Sequence, residues 1–152
     1  MLKKEHLEKI KKEIENFFEK AGFEVKIKVA IQDETLKVDL ESKEPQVLIG
    51  QKGRVLSQIQ RILKLILNRK VGELFFVDLD VNDYKKKRTQ YLKEMARKAA
   101  DEVALTKKEK ILPPMPASER RIIHLELADR KNITTQSIGK EPKRKVVIKP
   151  YP

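Results

Sequence analysis

Apolar residues in the first eighty positions follow two different periods. Leu7, Ile10, Ile14, Phe17, Phe18 and Ala21 recur three or four apart with Lys and Glu between them, and Gly22 follows. That spacing predicts an amphipathic helix over residues 3–21 with a glycine stop. The period then drops to two. Val25, Ile27, Val29 and Ile31 alternate with Lys26, Lys28 and Ala30, and Leu36, Val38 and Leu40 alternate with Lys37 and Asp39. The pattern predicts a hairpin turning near Asp33-Glu34. Pro45 suits a first helical position and opens a single turn, Gln46 to Ile49, that stops at Gly50. Just past Gly53 the helical period returns at Val55, Leu56, Ile59, Ile62, Leu63, Ile66 and Leu67 and runs to about Gly72, and Phe75, Val77, Leu79 and Val81 then alternate as a third strand. The predicted order is α-β-β-α-α-β.

Beyond residue 82 the pattern predicts a second module. Asn82 or Asp83 is placed to cap a long helix whose buried face would use Tyr84, the stem of Arg88, Tyr91, Met95, Ala99 and Val103. Leu112-Pro113-Pro114-Met115-Pro116 must break it, and Pro116 suits the first turn of a last helix running through Asp129. Short strands near Ile133 to Ile138 and Arg144 to Ile148 flank a turn at Gly139-Lys140-Glu141-Pro142. The expectation is an α+β chain of two modules, residues 1–82 and 83–152, the second with two helices on a short sheet.

Charge sharpens that division. The 152 residues carry 35 Lys and Arg against 23 Asp and Glu, net +12. Residues 1–82 hold 16 against 14 of these, net +2, and residues 83–152 hold 19 against 9, net +10. So uneven a distribution suits a second module that attracts a polyanion, such as nucleic acid or an anionic membrane face. Cys is absent, which removes disulfides, thiolate metal sites and thiol nucleophiles and fits a reducing compartment. No apolar run reaches the roughly 18 residues needed to cross a bilayer, and the first residues lead into charged helix. The expected protein is soluble and cytoplasmic, without stable membrane insertion, metal or cofactor. Its three Tyr and five Phe lie mostly on core-facing stripes, so it lacks an aromatic-rich stacking platform and should show modest sequence preference. Phe75 and Phe76 are adjacent in a strand and face opposite sides; an exposed Phe76 would sit more readily at a protein contact than on RNA.

Two constellations could carry function. Ile49-Gly50-Gln51-Lys52-Gly53-Arg54 is a two-glycine turn between helices. Both glycines can take positive φ and let backbone N–H groups approach a phosphate at the N-terminal end of the next helix, while Lys52 and Arg54 add mobile charge. A lone G-x-x-G is usually only a tight connection. Inside an α-β-β-α-α-β module of this length it resembles the loop of a KH domain, which clamps a nucleic-acid backbone, and the helix order resembles the type II arrangement. The second constellation is Glu119-Arg120-Arg121-Ile122-Ile123-His124, where Arg120 and His124 share one helix face and Arg121 flanks it. A guanidinium can hold phosphate bidentately, and an imidazole can donate to phosphate or stack on a base. Most such pairs are ordinary helix surface. Here the spacing resembles the Arg-x-x-x-His pattern of the R-3-H domain, and residues 135–148 resemble that domain's strand segment.

A type II KH module joined directly to an R-3-H module resembles the bacterial Jag family, also called SpoIIIJ-associated or KhpB proteins. The likeness rests on residues 49–54, 113–124 and 135–148. It implies a cytoplasmic RNA-binding protein linked to cell-envelope growth, division or sporulation, paired with a small stand-alone KH protein or with itself. Many family members carry an additional N-terminal Jag domain, which the chain is expected to lack. The leading expectation is a non-catalytic binder of single-stranded RNA, with single-stranded DNA as the close alternative ligand. Its contacts would be Ile49, Gly50, Gln51, Lys52, Gly53 and Arg54 in the loop and Arg120, Arg121, His124, Ser137 and Arg144 in the second module. The competing class is an adaptor that mainly pairs with another KH protein, which predicts an exposed apolar patch around Leu48, Ile49 and Val55. A nuclease using His124 with Glu126 or Asp129 is disfavoured, since neither carboxylate shares the His124 helix face.

Overall fold

The computed structural model describes all 152 residues. They divide into two compact units, Met1–Lys85 and Lys86–Pro152, and the boundary falls three residues beyond the point where the charge balance changes.

In the first unit a 3-10 turn, Lys4–His6, leads into helix α1, Leu7–Lys20. Strands β1, Val25–Gln32, and β2, Thr35–Ser42, form the hairpin around Asp33-Glu34, with Asp33 in the left-handed region at φ 55°. Helix α2, Pro45–Ile49, a 3-10 turn at Gln51–Gly53, helix α3, Arg54–Val71, and strand β3, Phe76–Val81, complete the α-β-β-α-α-β order. The sheet runs β1-β2-β3; β1 and β2 are antiparallel, and β2 and β3 are parallel in a register pairing Thr35 with Phe76 and Leu40 with Val81. A parallel neighbour cannot be reached by a tight turn, so α2 and α3 are the crossover the chain needs. One face of the sheet packs Leu36, Val38, Leu40, Val77, Leu79 and Val81 against Ile10, Ile14 and Phe18 of α1 and Leu56, Leu63 and Leu67 of α3. The amphipathic stripes of the two helices therefore become the roof of the core.

An edge strand leaves backbone N–H groups unpaired, and α3 covers β3 by repetition. Gln60 and Asn68, two helical turns apart on one face, accept from the Leu79 and Phe75 N–H groups at 3.0 and 3.3 Å. Between them Lys64 Nζ sits 5.0 Å from the centroid of the Phe76 ring. Phe76 is 62% exposed, whereas Phe75 is in the core. On the polar face, the cross-strand register brings Lys37 Nζ to Asp78 at 2.6 Å, and Lys85 Nζ reaches Asp78 and Gln60, each at 2.7 Å.

The second unit begins at the third residue of α4, Tyr84–Thr106, and continues with β4, Lys110–Ile111, α5, Ala117–Leu127, β5, Ile133–Ile138, and β6, Lys145–Pro150. Its sheet is three-stranded, β4-β6-β5, and antiparallel throughout. The two-residue strand β4 was not expected, because so short a piece carries no alternation to read. Neither expected residue caps α4. Asn82 and Asp83 both have positive φ, and Asn82 uses its amide on the Ser42 backbone instead; Asp80 Oδ1, from β3, accepts the Lys85 N–H at 3.1 Å. The buried stripe of α4 is Leu92, Ala96, Ala99, Ala100 and Val103, and Tyr91 is exposed. Of the expected face, Ala99 and Val103 are buried and Met95 packs against the same cluster, while Leu92, Ala96 and Ala100 take the place expected of Tyr91 against Ile123, Leu127, Val146 and Ile148.

Candidate nucleic-acid interface

The glycine turn of the first unit owes its shape to backbone conformations that other residues resist. Gly50 has φ 69° and ψ −176°, Lys52 φ 55° and ψ 27°, and Gly53 φ 76° and ψ 17°. A Cβ on Gly50 would lie 2.4 Å from Val55 Cγ2, and one on Gly53 would lie 3.1 Å from the ring of Tyr84. Glycine at Gly50 is thus favoured by space as well as by φ, and at Gly53 by its left-handed φ. The side chains of Gln51, Lys52 and Arg54 are exposed. Ile49 is half-buried and packs on the core behind the turn. Of the apolar patch expected of an adaptor around Leu48, Ile49 and Val55, Leu48 is 1% exposed and its two neighbours are half-buried, while adjacent Val47 is 49% exposed. Large exposed apolar side chains also occur at Ile62 and Leu65 of α3 and at Leu74 and Phe76.

In the second unit, α5 starts where Pro116 O accepts the N–H groups of Glu119 and Arg120 at 3.1 and 3.0 Å. Three predicted contact residues follow, and they go to different places. Arg120 is only 8% exposed; its Nε donates to Met115 O at 3.2 Å and its Nη2 to Glu141 Oε1 at 2.6 Å. Arg121 is exposed. His124 is half-buried against β5, its Nδ1 2.7 Å from Thr135 Oγ1 and its Nε2 2.9 Å from Ser137 Oγ. Burial first, and then the nearby Arg120 charge, hold the imidazole below its ordinary pKa. A neutral ring has one donor and one acceptor nitrogen, and two hydroxyls satisfy both. The predicted Arg144 donates to Gly139 O at 2.7 Å and Ser137 O at 3.4 Å, closing the β5–β6 turn.

The structure therefore brings Arg120, His124, Ser137 and Arg144 together, as the Arg-x-x-x-His spacing suggests, but ties each of them into the protein. Sequence reasoning missed the acids that make this possible. Glu119, 9% exposed, takes both branches of the Arg88 guanidinium, at 2.9 and 3.1 Å, and Glu141 takes Arg120. The available signal was an odd one, a carboxylate immediately before two arginines in an otherwise basic segment. Glu126 is paired with Arg97 at 3.0 Å, away from His124.

Comparison with known proteins agrees with this construction. Residues 90–150 match the R-3-H domain family, so the second unit is an R-3-H domain. Three relatives carry the name RNA-binding protein KhpB. The one from Lactiplantibacillus plantarum is 40% identical over 102 residues, 67% of this chain and 32% of that protein. The one from Clostridium symbiosum is 33% identical over 137 residues, 89% of this chain and 62% of that protein, and the one from Bacillus subtilis is 37% identical over 124 residues, 79% and 60% respectively. The chain belongs to this KhpB, or Jag, family and spans between 32% and 62% of the length of these relatives. No helix is long and apolar enough to cross a membrane.

Proposed function

We propose that this protein binds single-stranded RNA without catalysis, with one contact surface in each unit. The observation that carries this reading is the 137-residue likeness to a KhpB protein named for RNA binding, which is too long to be confined to either unit. We read the first unit as a type II KH module, supported by its α-β-β-α-α-β order and by a glycine turn between α2 and α3 that leaves Gln51, Lys52 and Arg54 exposed. Its turn would hold the RNA backbone through N–H groups and these side chains. Arg121, on the outer side of α5, would contact phosphate directly, while Arg120, His124, Ser137 and Arg144 shape the surface around it. Non-catalytic binding is supported by His124, whose ring nitrogens are both engaged, and by Glu126, which is committed to Arg97. The resemblance to the Jag family supports reading it as a cytoplasmic regulator of envelope growth, division or sporulation.

A second reading, pairing with another KH protein or with itself, is favoured by the exposed Ile62, Leu65, Leu74 and Phe76 in the first unit. It is compatible with RNA binding.

The test is fluorescence anisotropy of a labelled random-sequence single-stranded RNA, beside DNA of the same sequence, across a salt series. Wild type should bind RNA with affinity that falls log-linearly with salt, at about 0.7 per phosphate neutralised. Gln51→Asp/Lys52→Asp should weaken binding by roughly tenfold, about 1.4 kcal/mol. Wild type that fails to bind, or a loop variant that binds unchanged, would sink the clamp.

A further inference from the structure

With Arg120, His124, Ser137 and Arg144 tied into the fold, most of the cations expected to hold RNA in the second unit are no longer mobile charges. The β5–β6 turn between Ile138 and Lys145 carries Lys140, Lys143 and Arg144 and one acid, Glu141. The turn is braced by hydrogen bonds at its tip and its base. Gly139 takes φ 87°, and Lys143 N–H donates to Lys140 O at 2.9 Å across the tip. Arg144 ties the base through Gly139 O and Ser137 O. Met115 N–H donates to Arg144 O at 3.2 Å, and Arg120 Nε donates to the same residue's carbonyl, Met115 O. Arg120 Nη2 then grips Glu141. Arg120 is a hub that fastens both the stem and the tip of the turn to α5.

This arrangement has an electrostatic result. Glu141 is the turn's only negative charge, and it is spent on a guanidinium that is itself buried. Lys140 and Lys143 stand exposed on either side of it. Ammonium groups are point charges without the planar fork that reads a base edge, and the turn has no aromatic side chain on which a base could stack. Two lysines on a rigid tip suit the negatively charged phosphodiester backbone.

We propose that this turn is a preformed phosphate-binding finger: Lys140 and Lys143 are its contacts with the RNA backbone, and Arg120 and Glu141 are positioning residues that hold it in shape. The assignment rests on the RNA-binding reading and refines it by moving the contact from the signature arginine to two lysines outside the Arg-x-x-x-His motif. A braced finger loses little conformational freedom on binding, so charge on it is used more fully than charge on a mobile loop.

The experiment is RNA anisotropy with salt titration and a thermal melt of the same full-length variants. Lys140→Ala/Lys143→Ala should weaken RNA binding roughly tenfold and reduce the log–log salt slope by about 1.4, two phosphates at 0.7 each, with the melting temperature unchanged. Glu141→Ala provides the sharper sign. Simple electrostatics predicts tighter binding when an acid is removed from a basic turn; the finger predicts weaker binding, because the tether to Arg120 is gone. Tighter binding by Glu141→Ala would make Glu141 a competitor of phosphate for Arg120 and overturn the assignment. Unchanged binding by the double lysine variant, alongside a loss in Gln51→Asp/Lys52→Asp, would remove the finger and leave the RNA-binding reading standing. Wild type that does not bind RNA removes both, and displacement of RNA from the lysines by an acidic peptide at equal charge concentration would give the finger to a protein partner instead.

Discussion

His124 shows how one residue changes meaning between sequence and structure. Four positions after Arg120 it reads as a helix-surface imidazole free to donate to phosphate or stack on a base; in the fold it is a half-buried bridge between α5 and β5. Its folded pKa is depressed, chiefly by burial and secondly by Arg120, below an ordinary value near 6.5. The unfolded chain therefore takes up the proton first as pH falls. The stability associated with the neutral ring is complete above about pH 6.5 and is lost as pH drops from there through the depressed folded value. Chemical denaturation at pH 7.5 and 5.5 should show wild type losing stability at the lower pH and His124→Gln losing less; equal losses would contradict the buried-neutral assignment. The signature spacing was legible because a four-residue step keeps two side chains on one helix face. Their partners, Glu141, Thr135 and Ser137, lie 11 to 21 positions away, and no local rule reaches them.

Elements were legible where a period ran long enough to be counted. Helices α1 and α3, the β1–β2 hairpin and the pair β5 and β6 lie within a few residues of their predicted positions. Failures came where tertiary contact overrode the local pattern. In α4, Ala99 and Val103 turn inward as the spacing predicts, but Leu92, Ala96 and Ala100 join them in the core where Tyr91 was expected, and Tyr91 stays exposed. Arg88, on the face expected to be buried, lies beside Glu119, an ion pair of 27% and 12% side-chain exposure with two hydrogen bonds. Leaving a shielded carboxylate without its partner is costly, so Arg88→Ala should destabilise the protein by about 2–4 kcal/mol. Exposed Lys98→Ala on the same helix should change little, about 0.5 kcal/mol or less. Urea midpoints for the two variants check this; equal shifts would mean that the pair acts as a surface bridge.

For the whole molecule, the consequence of net charges of +2 over residues 1–82 and +10 over residues 83–152 is that RNA affinity should be built from separable contributions. Variants in different units that touch different phosphates should add in log Kd. Combining Gln51→Asp/Lys52→Asp with Lys140→Ala/Lys143→Ala should weaken binding by the product of the two separate factors, read by anisotropy at one salt concentration. A combined variant no weaker than the poorer of its parents would show that the two surfaces do not hold one strand together. The sequence by itself determined the order of the longer elements, the two-module division, the charge asymmetry, the glycine turn and the family, because each is written in local spacing, in composition or in a contiguous motif. Tertiary structure alone decided which cations are free to meet a ligand. Arg120 and Lys140 carry the same charge on paper; only packing shows that one guanidinium is enclosed and answered by Glu141 while the ammonium stands in water, and enclosure depends on neighbours brought from distant parts of the chain.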